Sequence, residues 1–355
     1  MVNYLNIPAI VTILVVLAVI ATFLNSLSIY IIVTTRHLWK RNSSLLLMNL
    51  LVVHLFQGVF VFPFYAGKKV KQDFLPAQIF GNGFRLSYML SFYGACLGIL
   101  LIAIDRFLAT YLLTKYKTIV TRKRVKITLA VFWIYIIGLC MIPFIDTSGP
   151  QMKTKFDNST NQTIEYEAKK FYVYNQQRVW VLFMLIVNTA LPYVLVVMCY
   201  SFIAYRLKSL QIYHPTNIGQ PVKKSKYAVN KTNETDELKP LRKKDVEKHK
   251  QVTKLTFILT LAYGVFWTPS IIYYPLKADC KSCFPENYED SELEQYVGFI
   301  TKYLAFLDAA VAPLVYCFMH REFQKSLIRI KSKLLKLPLP EPDVPSTSND
   351  TTLLQ

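Results

Sequence analysis

Seven stretches of the chain are apolar for roughly twenty residues or more, and each is flanked by polar, mostly basic segments. They cover about residues 7–35, 43–66, 80–112, 125–147, 177–206, 250–276 and 296–318. A helix that crosses a bilayer needs about 20 apolar residues, so the pattern predicts an all-α membrane protein, a seven-transmembrane helix bundle. The first stretch is too long for the core of a signal peptide and lacks a small-residue cleavage site, so it is expected to remain as a helix. Beyond the last stretch, Phe323, Leu327, Ile330 and Leu334 recur at helical spacing on one face, with Lys325, Arg329 and Lys336 elsewhere. That pattern predicts a short amphipathic helix on the membrane surface. The expected organisation is an outer N-terminus over 1–8, a bundle over 9–319, the surface helix over 320–337 and a flexible tail over 338–355. Within the bundle, long loops are expected at 148–176 outside and 207–249 inside.

Composition agrees with the pattern. The 355 residues are 53% hydrophobic and 14% aromatic, and the mean hydropathy is +0.30, a profile of polytopic membrane proteins. The net charge of +19 would suit a nucleic-acid partner if it were clustered on a soluble domain. Instead most Lys and Arg fall on the segments of one side. That is the positive-inside rule, and it predicts an outer N-terminus and contact with anionic lipid, with no role for nucleic acid.

Polar residues at membrane depth are expensive and default to functional candidates. Asp105 and Arg106 interrupt an apolar run that resumes with Phe107. Asn25, His54 and Asp308 are polar positions inside other spans, and Arg85 and Lys302 sit near the outer ends of theirs. Arg85 and Lys302 suit a carboxylate or an anionic headgroup, or else they snorkel to the interface. Of six cysteines, only Cys280 and Cys283 fall in a loop. Such a pair can be a disulfide, two metal ligands or two free thiols; a metal lacks further ligands, and the outer compartment favours the disulfide. Asn158 and Asn161 begin two glycosylation sequons in the long outer loop.

Taken together, these marks resemble the rhodopsin-like (class A) G-protein-coupled receptors. Asp105-Arg106-Phe107 is similar to the Asp-Arg-Tyr motif of that family's third helix. Asn25, Asn49-Leu50, Trp133, the Pro192–Tyr200 pair, Trp267-Thr268-Pro269 and Pro313-Leu314-Val315-Tyr316 match its other helices in order. Departures are His54 in place of the second helix's acid, Gly81 in place of the usual outer cysteine, Tyr263 and Phe266 in the sixth helix, and Ala312 before Pro313. With His54, Ala95 and Ala312, three oxygen ligands of the family's sodium site are absent, and His54 and Asp308 are expected to face each other. Tyr88 stands where amine receptors carry an acid.

The resemblance implies a receptor with no catalytic chemistry, no cofactor and no metal. An extracellular ligand would bind in the outer half of the bundle near Arg85, Tyr88, Trp267 and Lys302. Pro192, Tyr263, Trp267, Pro269 and Pro313 would form the conformational switch. Helix 6 would then move outward, and Asp105, Arg106, Phe107, Tyr200 and Tyr316 would couple to a heterotrimeric G protein. Arrestin would meet the Ser/Thr-rich tail, Ser346 to Thr352. A retinal-binding opsin lacks its lysine, since Phe306 stands there, and no repeats suggest a transporter. The alternative is a non-signalling or decoy seven-helix protein.

Overall fold

The computed structural model describes residues 7–70, 77–112, 115–145, 151–157, 162–168, 178–213, 243–285, 288, 291–319 and 321–335. Among the described residues, seven helices are long and apolar enough to cross a membrane: Ile7–Thr34, Asn42–Lys69, Ile79–Leu112, Arg122–Pro143, Leu182–Arg206, Gln251–Lys277 and Glu292–Met319. We call them the first to seventh spans. An eighth helix, Arg321–Leu334, follows. Phe323 is fully buried against Tyr316, while Lys325 and Arg329 are exposed, the division its periodicity predicts.

The bundle has two kinds of apolar surface. Inward residues form packed clusters, one in the outer half around Leu14, Phe62, Phe84 and Phe306. Another fills the middle around Val53, Ile99, Tyr263 and Trp267. Outward residues such as Phe23, Ile134, Val197, Val265 and Ile300 are exposed. A band of that kind is stable only in lipid, since water would not tolerate so large an apolar surface. Gly58 lets the first two spans approach closely: a Cβ there would lie 2.7 Å from the Thr22 hydroxyl and 3.0 Å from the Thr22 backbone nitrogen.

Prolines shape the spans. Each of two π-helical turns, Gln57–Val61 and Ile186–Ala190, ends just before a proline, Pro63 and Pro192. A proline removes one N–H and pushes on the carbonyl four residues back, and a wider turn accommodates both. The helical backbone also outruns the apolar stretches. The fifth span's helix continues to Tyr213, and the sixth begins at Lys243, so the inner loop is shorter than 207–249. Lys, Glu and Gln favour helix, and no proline or glycine stops either extension.

Among the described residues, a β-hairpin departs from the expected all-helical chain. Strands β1 (Gln151–Asp157) and β2 (Gln162–Ala168) pair antiparallel, with Lys153 opposite Tyr166 and Phe156 opposite Thr163. They belong to the outer loop, and their Thr, Ile, Tyr and Phe content suits a strand. The sequons at Asn158 and Asn161, the start of the chain, the middle of the inner loop and the Ser/Thr-rich tail lie outside the described residues.

Candidate functional site

Two carbonyls that proline sets free meet side-chain donors from other spans. Pro313 cannot donate to the carbonyl of Ala309. The Asn25 side-chain amide donates to that oxygen at 2.8 Å, and also to Ala21 in its own helix. A single buried amide thus ties the first span to the break in the seventh. Likewise Pro192 frees the carbonyl of Asn188, and the Cys96 thiol of the third span lies 3.8 Å from it, a weak donor in place.

One turn before the Pro313 break, Asp308 occupies the centre of the bundle. Its Oδ2 accepts a hydrogen bond from Trp267 Nε1 at 3.0 Å. His54 Nε2 lies 3.3 Å from the same oxygen. The distance suits an ion pair, but the alignment is not that of a good hydrogen bond, for neither ring nitrogen has an aligned partner. We therefore weight the tryptophan bond above the histidine contact. All three side chains are buried, with Trp267 and His54 each only 1% exposed. His54 does face Asp308. The Trp267 bond to Asp308 was not foreseen from sequence, because it depends on how far the sixth span rotates against the seventh.

Aromatic rings surround Trp267, with Tyr88 on its outer side and Tyr263 a turn further in. Tyr263 stacks on it at 5.7 Å between centroids, and Tyr88 and Phe92 lie at 5.8 and 5.0 Å. Phe306, also fully buried, touches Tyr88, Tyr65, Tyr303 and Phe62. Sequence reasoning treated Phe306 only as a missing lysine. Its spacing of three from Tyr303, on an inward face, was the available signal.

At the outer end, Lys302 Nζ lies 4.9 Å from the Tyr65 ring, 5.3 Å from Tyr274 and 5.8 Å from Phe84. Arg85 instead turns to Asn82 of its own helix, at 3.1 Å. Lys302 therefore meets rings of three other spans, while Arg85 bonds a residue of its own helix. Cys280 and Cys283 are disulfide-bonded, with their Cα atoms 5.4 Å apart. Lys277 and Glu294 form an ion pair between the sixth and seventh spans nearby.

At the end of the bundle beside the eighth helix, Arg106 is buried and folds back onto the Asp105 carboxylate through Nε and Nη2. Tyr116, in the following loop, donates to the other Asp105 oxygen at 2.6 Å. Burial, with the Asp105 charge behind it, holds the Tyr116 hydroxyl above its ordinary range, so it stays a neutral donor. A cleft beside the pair is lined by Arg41, Thr256, Tyr316 and Phe323. Phe107 packs against Phe202 of the fifth span. The Tyr200 hydroxyl is near Thr260, at 3.4 Å, rather than on Arg106. Gln251 of the sixth span donates to the Met319 carbonyl at 3.2 Å. Trp133 donates to Asn49 at 2.8 Å, tying the fourth span to the second.

Comparison with known proteins agrees with this geometry. A family model described as 7 transmembrane receptor (rhodopsin family) matches residues 24–316. Growth hormone secretagogue receptor type 1 of Sus scrofa is 24% identical over 243 residues, 67% of this chain and 57% of that protein. G-protein coupled receptor 161 of Mus musculus is 23% identical over 323 residues, 87% of this chain and 55% of that protein. The chain spans a little over half the length of these curated relatives. The family consists of receptors rather than enzymes. The match takes in the second to sixth spans whole, the end of the first span with Asn25, and nearly all of the seventh, and it covers most of the sequence. As a multi-pass protein of the plasma membrane, the chain belongs to the rhodopsin family of seven-transmembrane receptors.

Proposed function

We propose that the chain is a cell-surface receptor whose N-terminus is extracellular. It takes a ligand into the outer half of the bundle and activates a heterotrimeric G protein through outward movement of the sixth span's cytoplasmic end. One observation carries the reading: Arg106 is buried at the cytoplasmic mouth, held by Asp105, in a cleft shared with the sixth and seventh spans. A buried guanidinium with its donors on a neighbouring carboxylate is a group kept in reserve, since release exposes a strong, planar hydrogen-bond donor. Ligand binding would favour the released state by its differential affinity for it. Pro269 and Pro313 supply the points at which the sixth and seventh spans bend.

Trp267 joins ligand to switch. It sits among Tyr88, Phe92 and Tyr263 on one side and bonds Asp308 on the other. A ligand that displaces these rings changes the hydrogen bond next to the Pro313 break. In the released state Arg106 would turn toward Tyr200 and the G protein, with Tyr316 completing the inner network. The Ser/Thr-rich tail serves arrestin, and the basic face of the eighth helix meets anionic lipid.

The test is nucleotide exchange on purified G protein with the receptor in nanodiscs. Wild-type receptor should accelerate exchange, and Arg106→Ala should abolish the acceleration while surface expression persists. Exchange at the full rate by that variant would remove Arg106 from the mechanism. No acceleration by the wild type with any of a panel of G proteins would favour a decoy.

A further inference from the structure

Among the described residues, Lys302 is a charge that lies against rings and has no ion pair. A lysine near the end of a span ordinarily snorkels along the lipid boundary to water. Lys302 does the opposite. Its ammonium lies against rings from three other spans: Tyr65 of the second, Phe84 of the third and Tyr274 of the sixth. Tyr65 and Phe84 are themselves buried, so Lys302 points into the bundle.

Ring faces attract a cation but do not neutralise it. Among the described residues, no carboxylate forms an ion pair with Lys302. Glu294, eight residues outward on the same helix, is committed to Lys277. Asp308, six residues inward, is committed to Trp267 and His54. Two more ammonium groups approach the same rings: Lys69 lies 5.7 Å from the Tyr65 centroid and Lys68 lies 5.4 Å from the Phe84 centroid. Lys69 and Lys302 share the Tyr65 ring, and like charges placed over one ring repel.

We propose that the outer ends of the second, third, sixth and seventh spans form a subsite for the acidic group of the ligand, with Lys302 as its counter-ion and Lys68 and Lys69 at its entrance. The inference rests on the reading that the outer half binds ligand, and it assigns the ligand's class: an organic acid, carboxylate or phosphate, on an apolar or aromatic body. The body follows from the walls. Below Lys302, the contacts run from Tyr65 and Phe84 through Tyr88 and Phe306 to Trp267. An acid anchored at Lys302 would lay its apolar part along these rings and reach the tryptophan bonded to Asp308.

The probes are 4-phenylbutyrate and dodecyl phosphate, each with its uncharged analogue, 4-phenylbutyramide and dodecanol. Purified receptor in phosphatidylcholine nanodiscs is melted with a thiol-reactive dye, which reports the buried Cys96 and Cys140 as they become exposed. At least one acid should raise the melting temperature by about 2–4 °C at tenfold its dissociation constant, and its uncharged analogue should not. Lys302→Met should lose the rise and Lys302→Arg should keep it, which separates charge loss from misfolding. Nanodiscs containing phosphatidylglycerol distinguish the source of the acid. If a lipid headgroup fills the subsite, that lipid alone raises the wild-type melting temperature, not that of Lys302→Met, and blunts the probe's effect. If a soluble acid fills it, the lipid changes nothing. No rise with either acid, an equal rise with the uncharged analogues, or an undiminished rise in Lys302→Met overturns the proposal. Arg106→Ala should retain the rise, so a failure of G-protein coupling and a failure of the subsite give different results.

Discussion

Replacing Asp308 should have unequal consequences for its two neighbours. Trp267 Nε1 lies 3.0 Å from Oδ2 with good alignment, whereas His54 Nε2 lies 3.3 Å away without it. A hydrogen bond to a charged group contributes about 1.5–3 kcal/mol in proteins generally, while pair couplings measured inside membrane bundles average about 0.6 and reach about 1.7 kcal/mol. Both partners here are buried, so the upper part of the membrane range applies to the tryptophan. A double-mutant cycle of Trp267→Phe and Asp308→Ala should give a coupling of about 1–1.7 kcal/mol. The cycle of His54→Ala and Asp308→Ala should give about 0.5 kcal/mol, non-additive but smaller. The assay is unfolding in mixed micelles with increasing dodecyl sulfate, read by tryptophan fluorescence or helicity. Each single variant should also shift basal nucleotide exchange, because the bond sits beside the Pro313 break. A histidine coupling larger than the tryptophan coupling, or additivity in both cycles, would refute the hierarchy drawn from these distances.

Three further outcomes are expected. Gln251→Ala removes the hydrogen bond to Met319 that joins the sixth and seventh spans; at about 1 kcal/mol it should raise basal nucleotide exchange up to about fivefold, and an unchanged basal rate would show that the bond does not restrain the sixth span. Cys280 and Cys283 should resist a thiol reagent on intact, unreduced cells and label after reduction; quantitative labelling of both without reductant would exclude the bond. Glycosidase treatment should shift the expressed protein's mobility, and replacing Asn158 and Asn161 by Gln should abolish the shift; glycan at Asn230 or Asn233, which begin two sequons of the expected inner loop, would reverse the orientation.

The sequence alone determined the spans, because a bilayer imposes one demand that a single residue run can meet: about twenty apolar residues with their backbone bonds closed internally. It also marked the prolines and the buried polar residues, since their cost in lipid makes them stand out wherever they occur. The eighth helix was legible for the same kind of reason, as its two faces are written in a local period. What joins the spans was not legible. That Asn25 satisfies the carbonyl freed by Pro313, that Trp133 bonds Asn49 and that Trp267 bonds Asp308 depend on the rotation and depth of each helix against its neighbours. Those variables are set by packing across the whole bundle, through contacts such as Gly58 on Thr22. The distinction between Arg85 and Lys302 shows the same limit: both read as basic residues near an outer end, and only the tertiary structure turned Lys302 toward the rings of three other spans while Arg85 met its own helix. A residue's depth in the membrane follows from its place in the run, but its direction follows from its neighbours.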